Sequence, residues 1–321
     1  MEARHWVLVA DEMAPAGLDI LRSGADVEVR TGLSEAELAA EVRPFHAIVV
    51  RSRTKVTSRI IEAGAKLEVI ARAGTGVDNI DVEAATRRGI LVINSPGGNA
   101  LATAELTIAM MLALARHIPQ GHVSVKAGQW ERKAFTGIEL AGKTLGIVGF
   151  GRVGKMVAER ARALGMSLLV FDPHLDREWV AEAGAVPASL SELMRQSDFL
   201  TIHCPLEEET RCIIGDKEFS AAKVGLRLVN CARGGIVDEA ALYRAIVDGR
   251  VAGAALDVFE KEPPEGCPLL DLDRVVVTPH LGASTQEAQV RVAVSLAEDL
   301  LRVFRGEEPD SPVNRPARPG G

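Results

Sequence analysis

The alternation of short apolar runs with helical stretches constrains this chain more than any other feature. From Trp6 to Ile93 the candidate strands are Trp6–Val9, Val27–Val29, Ala47–Val50, Leu67–Ala71 and Ile90–Ile93. The gaps hold Pro15–Arg22, Ser34–Val42, Thr57–Ala63 and Asp81–Arg88, at the spacing of βαβ units. Parallel strands need such crossovers, so a small doubly wound α/β domain is expected. The stretch Ser95 to Asn99 breaks the pattern, and Asn99 is a candidate cap for a helix from about Ala100 to Arg116. That helix is apolar on most sides, which predicts burial between layers or at a subunit contact. A second series starts at Thr144, with strands at Leu145–Phe150, Leu168–Phe171, Phe199–His203, Leu226–Val229, Ala252–Leu256 and Val275–Val277. Six strands with intervening helices predict a second, larger parallel sheet of the dinucleotide-binding type. After Thr285 comes an amphipathic helix with Val290, Val294, Ala297, Leu301 and Phe304 on one face. It is expected to return to the first domain, so that residues 1–98 with 286–321 form one domain and 99–285 the other. The Pro-, Arg- and Gly-rich end, Glu307–Gly321, reads as a loose tail.

Composition removes several function classes. At 321 residues, 47% hydrophobic and 25% charged, the chain is ordinary globular protein. No apolar run reaches membrane length; Ile108 to Ala115 is followed by Arg116 and His117 and reads as a buried helix. The start, Met1 to Trp6, lacks the apolar core of a secretory signal, and the four cysteines form no CxxC pair. Both point to a cytoplasmic protein with reduced thiols and no structural metal. A net charge of −7 without a long Lys/Arg block disfavours nucleic-acid and anionic-membrane partners. A small-molecule substrate is the expected partner.

Gly149-Phe150-Gly151-Arg152-Val153-Gly154 follows an apolar strand and opens a helix. Gly149 would make the tight turn, Gly151 would let the backbone approach a pyrophosphate, and Gly154 would let helix pack on strand. The helix start supplies free N–H groups and partial positive charge. The next strand ends in Asp172, 18 positions past Gly154, where a carboxylate would accept bonds from ribose hydroxyls and repel a 2′-phosphate. The expected cofactor is therefore NAD, and the larger domain is expected to be a Rossmann domain. Gly137 to Thr144 spells a Walker A motif, but it follows a loop and opens a strand, the reverse of what a P-loop needs.

Three strand ends of the second domain carry reactive groups: Arg233 in Asn230 to Gly235, Glu262 after Asp257, and His280 in Thr278 to Gly282. Strands of a parallel sheet share one carboxyl edge, so these residues are expected in a single crevice. His280 is suited to moving a proton, Glu262 to fixing its tautomer, and Arg233 to gripping a carboxylate with two parallel bonds. Taken singly, each is equally explained as a surface charge or a structural histidine; the coincidence of three points to a site. His203, with Cys204 and Pro205, reads as a loop lining the cofactor rather than a proton carrier. Cys204 and Cys231 have no neighbouring base and read as small pocket-lining groups. In the first domain Arg51-Ser52-Arg53 and Arg72 to Asn79 follow strands, and the glycines Gly74 and Gly76 permit a nest of exposed backbone N–H groups for a small anion. Arg51 and Arg72 are equally compatible with solvated rim positions.

These motifs together resemble the D-isomer-specific 2-hydroxyacid dehydrogenases over roughly residues 5 to 305. The carriers are Arg72 to Asn79, Trp130-Glu131-Arg132-Lys133, Gly149 to Gly154, Asn230 to Gly235 and His280 to Thr285. The resemblance implies two doubly wound parallel-sheet domains, a Rossmann NAD-binding domain and a smaller flavodoxin-like substrate domain, with the substrate in the cleft between them. It implies Arg233, Glu262 and His280 as the catalytic set. Around NAD it places Thr75, Arg152, Val153, Asp172, Cys204, Cys231, Ala232, Asp257, Gly282 and Ala283. Arg51, Ala73 and Gly74 would meet the substrate, and Arg132 and Lys133 would reach a phosphate end from a neighbouring subunit. The implied activity is NAD-dependent oxidation of a phosphorylated D-2-hydroxy acid by a homodimer joined through the region around Ile118–Leu140. Alternatives within this resemblance are a reductase of glyoxylate or hydroxypyruvate and, from another class, an NAD-sensing binding module like the superfamily's corepressors. Long members carry a further C-terminal regulatory domain; the sequence here stops at Gly321.

Overall fold

The computed structural model describes residues 4–316, which divide into two compact units, 4–99 with 283–316 and 100–282. In the first unit β1 (Trp6–Val9), α1 (Pro15–Gly24), β2 (Asp26–Val29), α2 (Glu35–Glu41), β3 (Ala47–Val50), α3 (Ser58–Ala63), β4 (Val69–Arg72), α4 (Val82–Arg87) and β5 (Leu91–Asn94) alternate without exception. The strands pair in parallel in the order β2-β1-β3-β4-β5, the flavodoxin-like order. Alternation along each strand divides the core. Leu8, Ile48, Val50 and Ile70 pack with Leu38, Ile60 and Ala84 of α2 to α4, while Val7, Val9, Val49 and Ala71 face the opposite side with Leu21 of α1. Burial on both faces is what a parallel sheet demands, and it explains why β3 is buried at every position.

The second unit begins with α5 (Ala100–Arg116) and α6 (Ile118–Lys126). There follow β6 (Thr144–Val148), α7 (Arg152–Ala163), β7 (Ser167–Phe171), α8 (Arg177–Glu182), β8 (Val186–Pro187), α9 (Leu190–Gln196), β9 (Phe199–Ile202), α10 (Asp216–Ala221), β10 (Leu226–Asn230), α11 (Glu239–Val247), β11 (Val251–Leu256) and β12 (Val275–Val277). The parallel order β12-β11-β10-β9-β6-β7-β8 reverses between β6 and β9, the switch point of a Rossmann sheet. The sheet has seven strands rather than the six expected. The extra one, β8, is a two-residue edge strand ending in Pro187, too short to leave a period in the sequence. α5 packs its Met111, Leu114 and Ala115 into the core, in line with its all-round apolar character. No single helix among the described residues is long and apolar enough to cross a membrane, and the α5 and α6 pair is bent by 62°.

The closing helix, α12 (Gln286–Phe304), starts at Thr285, whose hydroxyl accepts from the Ala288 N–H. It buries Val292, Leu296 and Leu300 against α1 and the sheet of the first unit. The expectation of a loose tail is corrected for residues 307–316. Pro312 bridges Ile93 in antiparallel fashion and the Val313 N–H donates to Val92 O at 2.8 Å. Asn314 accepts from the Val92 N–H at 2.7 Å and donates to Ile90 O at 3.0 Å. The segment thus covers the open edge of β5, a need of any edge strand that composition alone does not reveal. The remainder of the predicted tail, 317–321, lies outside the described residues.

Candidate active site

At the switch point of the second unit the loop after β6 passes so close to the loop after β9 that side chains are excluded. A Cβ on Gly149 would sit 2.6 Å from the Cys204 amide nitrogen, and its φ of +86° disfavours any L residue. Gly154 lies on the Gly149 carbonyl, where a Cβ would come within 2.4 Å, so helix and turn need glycine at both places. Gly151 differs: a Cβ there would meet nothing within 4 Å. Its glycine therefore leaves open space at the start of α7, where no side chain caps the helix. Asp172, just past β7, accepts from the Phe150 N–H at 2.8 Å and from the His174 N–H at 3.0 Å. Its carboxylate thereby braces the glycine loop while each oxygen keeps a second lone pair. An uncapped helix start over open space, with Arg152 and Val153 in its first turn and an acid at the neighbouring strand end, fits a dinucleotide. The Walker-like segment runs straight into β6 and opens no helix, as expected.

The carboxyl ends of β10, β11 and β12 carry the reactive groups. Buried Asn230 closes β10, accepting from the Ala232 N–H at 3.0 Å and donating to Arg233 O at 2.9 Å, which fixes the loop that bears Arg233. Gly234 is required because a Cβ there would collide with the Phe259 carbonyl at 1.9 Å. Glu262 accepts from the Phe259 N–H at 3.2 Å through one oxygen and lies 2.7 Å from His280 Nδ1 through the other. Both side chains stay open to solvent, at 38% and 42% exposure. Partial burial would raise the Glu262 carboxyl; the bond and charge of His280, the Phe259 N–H and the Arg233 charge outweigh it and hold the group below the usual carboxylate value. Glu262 therefore stays ionised at neutral pH, and Arg233 is near enough for its charge to act on it.

His280 adopts φ of +54°, a left-handed conformation that costs a non-glycine residue about 1–2 kcal/mol. Buried Asp257 offsets that cost. Its carboxylate accepts from the Thr278 hydroxyl at 2.6 Å, the Leu281 N–H at 2.7 Å and the Gly282 N–H at 2.8 Å, and its carbonyl accepts from the His280 N–H. Thr103 on α5 donates to Gly282 O at 3.1 Å and secures the far end of the loop.

In the first unit, Arg51 opens the loop after β3, and Ala73 to Thr75 follow β4. The amides of Ala73 and Gly74 are not open. The Ala73 N–H donates to Val50 O and the Gly74 N–H to Arg72 O, because β4 continues its ladder one residue past its end and then turns back on itself. The Thr75 hydroxyl donates to Asn99 at 2.8 Å. Ala283 opens the second segment of this unit. Arg132 and Lys133 stand exposed in the second unit between α6 and β6.

Residues 108–282 match the family model described as D-isomer specific 2-hydroxyacid dehydrogenase, NAD binding domain. The chain belongs to that family. Among curated relatives it is 52% identical over 313 residues to the D-3-phosphoglycerate dehydrogenase of Archaeoglobus fulgidus, covering 97% of this chain and 59% of that one. The enzyme of the same name from Methanocaldococcus jannaschii is 49% identical over 98% of this chain and 60% of its own. This chain thus spans about three fifths of the length of the curated relatives it matches. Among solved structures, the TT0316 protein of Thermus thermophilus is 37% identical with a TM-score of 0.87, covering 96% of this chain and all of that one. A glyoxylate reductase from Paecilomyes thermophila is 32% identical with a TM-score of 0.89, covering 98% and 99%.

Within this member of the family, one histidine and two cysteines near the switch point are held uncharged. His203 bonds through Nε2 with the Thr201 hydroxyl at 3.0 Å, and burial pushes its pKa from 6.5 to about 3. Burial also pushes the Cys204 thiol up to about 11 and the Cys231 thiol to about 12, so neither is a thiolate nucleophile. Pro205 ends the same loop, its carbonyl accepting from the Thr210 hydroxyl. His203 makes a stability prediction. The unfolded chain takes up its proton below about 6.5 while the folded one resists until about 3, so stability, complete above 6.5, falls as pH drops through that window. His203→Asn is expected to shrink the loss of melting temperature between about pH 7 and pH 5, as measured by calorimetry.

Sequence reasoning missed the braces Asn230, Thr103 and Thr278, and it took Asp257 only as a cofactor neighbour. The available signal was positional: Asn230 is the last residue of an apolar strand and Asp257 immediately follows one, where a polar residue must find a partner once buried.

Proposed function

We propose that this chain carries the NAD-dependent oxidation of 3-phospho-D-glycerate to 3-phosphohydroxypyruvate and its reverse, the step that opens serine synthesis. The observation that carries the reading is the 2.7 Å contact between His280 Nδ1 and Glu262, with Arg233 close by, in the unit that matches an NAD-binding domain. The names of the relatives at about half identity supply the substrate. Gly149 to Gly154, the start of α7 and Asp172 would hold the dinucleotide, with Thr75, the His203-Cys204-Pro205 loop, Cys231, Ala232, Asp257, Gly282 and Ala283 around it. Bound NAD supplies the acceptor for the hydride that leaves C2.

Nδ1 is committed to Glu262, so it carries the ring proton and leaves the Nε2 lone pair for the substrate. Nε2 takes the hydroxyl proton as the C2–O bond becomes a carbonyl. The ionised Glu262 then stabilises the imidazolium through the same bond. Arg233 faces the substrate carboxylate and fixes which side of C2 meets the ring. Arg51 belongs to the phosphate end. Ile118, Val123, Val125 and Trp130 are 55%, 64%, 54% and 74% exposed, an apolar surface that supports a homodimer through this region. Such a dimer would bring Arg132 and Lys133 to the neighbouring active site. Four free cysteines suit the cytoplasm.

The likeness to a glyoxylate reductase supports a second reading, a reductase of small unphosphorylated oxo acids. Initial rates of NADH consumption with phosphohydroxypyruvate, hydroxypyruvate, glyoxylate and pyruvate separate the two. The first reading expects phosphohydroxypyruvate to have the highest kcat/KM; a preference for glyoxylate or hydroxypyruvate establishes the second. Replacing Arg132 and Lys133 together by Ala is expected to raise the KM for phosphoglycerate about ten-fold or more, since only a phosphorylated end needs extra cations.

A further inference from the structure

In the first unit, a buried carboxylate and a half-buried amide are spent on one surface loop. Asp11, just past β1, is 6% exposed, and its oxygens accept from the Arg51 N–H at 2.6 Å, the Thr54 N–H at 3.2 Å and the Thr54 hydroxyl at 2.8 Å. Asn79, from the loop after β4, does the complementary work: its side-chain amide donates to Arg51 O at 2.7 Å and to Thr54 O at 2.6 Å. Asn79 is itself anchored, because its carbonyl accepts from the Val56 N–H at 2.8 Å. Both main-chain polar atoms of Arg51 and of Thr54 are therefore tied by two side chains from two other strand ends. Between these fixed points stand the exposed Ser52 and Arg53.

Burying an ionised carboxylate is costly unless it is fully bonded, so a turn needed only to connect two elements would not require one. None of the bonds to the Asp11 carboxylate comes from the sheet, which is continued at this point by the Ala10 N–H on Val49 O. What the braces deliver to solvent is a fixed origin for the Arg51 side chain. Among the described residues the Arg51 guanidinium makes a limiting contact of 3.5 Å with Glu12 O, weak enough to be given up to a ligand.

We infer that Asp11 and Asn79 are positioning residues for the anionic substrate: they hold the Arg51 backbone so that its guanidinium meets the phosphorylated end in one geometry. The inference rests on the functional reading above and on Arg51 as a substrate contact. A bidentate grip depends on direction, so a loosened origin should weaken substrate binding without touching the chemistry at His280.

The test is a double-mutant cycle on Asp11→Asn and Arg51→Ala, with KM for phosphoglycerate, KM for NAD, kcat and melting temperature measured for each. Asp11→Asn keeps the shape but turns an amide toward backbone N–H groups. We expect each single variant to raise the KM for phosphoglycerate about ten-fold, with kcat and KM for NAD within about two-fold of wild type. The double variant is expected to be no worse than Arg51→Ala, because Asp11 acts through Arg51. Asn79→Ala is the second variant, expected to show the same split should Asp11→Asn not fold. A lower melting temperature with unchanged KM in Asp11→Asn or Asn79→Ala overturns the inference in favour of a purely structural brace. Additive losses in the double variant overturn it too. An unchanged KM in Arg51→Ala, in an enzyme that turns over phosphoglycerate, overturns the inference while leaving the functional reading intact; absence of turnover in wild type removes both.

Discussion

His280→Ala is expected to lose turnover by about 10²–10⁴ while NADH affinity stays near wild type. The reason lies in how narrowly the ring is placed. Its backbone is in a left-handed turn held by four bonds to Asp257, three on the carboxylate and one on the carbonyl, and its Nδ1 is taken by Glu262 at 2.7 Å. The neighbouring histidine and the two cysteines are poor replacements for it. His203 is pushed to about 3 and is neutral at any working pH, and the Cys204 and Cys231 thiols are pushed to about 11 and 12. The loss should therefore appear in kcat, read from steady-state rates, with fluorescence titration of NADH as the control. Equal losses in turnover and NADH affinity would move the proton carrier elsewhere.

The second large effect separates fold from cofactor at a single glycine. Gly151→Ser is expected to keep or raise the melting temperature while weakening NADH about ten- to a hundred-fold. At Gly151 the backbone is extended, the space beyond it is open, and α7 starts without a side-chain cap. Serine is a better N-cap than most residues and would satisfy one of the free N–H groups. Those N–H groups and that space are what a pyrophosphate would use, so the stabilising change removes the binding site. Gly149 and Gly154 cannot make this separation, because a Cβ at either strikes backbone within 2.6 Å. Unchanged NADH affinity in Gly151→Ser would place the phosphates elsewhere.

The parts of the fold that repeat were legible in the sequence, and those that rest on single contacts were not. β3 is a continuous apolar run buried at every position by a parallel sheet and β1 is buried after its first residue; these two and the edge strand β12 stand where the pattern places them. The glycine spacing and Asp172 pointed to the switch point, because backbone clearance admits no side chain at Gly149 and Gly154. β8 escaped because two residues carry no period, and the docked segment around Pro312 and Asn314 escaped because it holds on by main-chain pairing and one amide rather than by an apolar stripe. The strand ends that carry Arg233, Glu262 and His280 were read from residue type and position, and the structure brings Glu262 and His280 into contact. The braces beneath them were not read. An aspartate at the end of an apolar run reads the same whether it meets water or, like Asp11 and Asp257, the N–H groups of a distant loop.

The pH dependence of kcat/KM for phosphoglycerate oxidation, compared between wild type and Glu262→Gln, tests most directly whether a carboxylate-braced imidazole moves the proton. Glu262 lies below the ordinary carboxylate range, so it is ionised throughout neutral pH and the acid limb of the profile does not report its own titration. Removing its charge disfavours the imidazolium, so the account predicts a lower kcat together with an acid limb displaced to lower pH. Profiles of the two enzymes that superimpose in both height and position would contradict it.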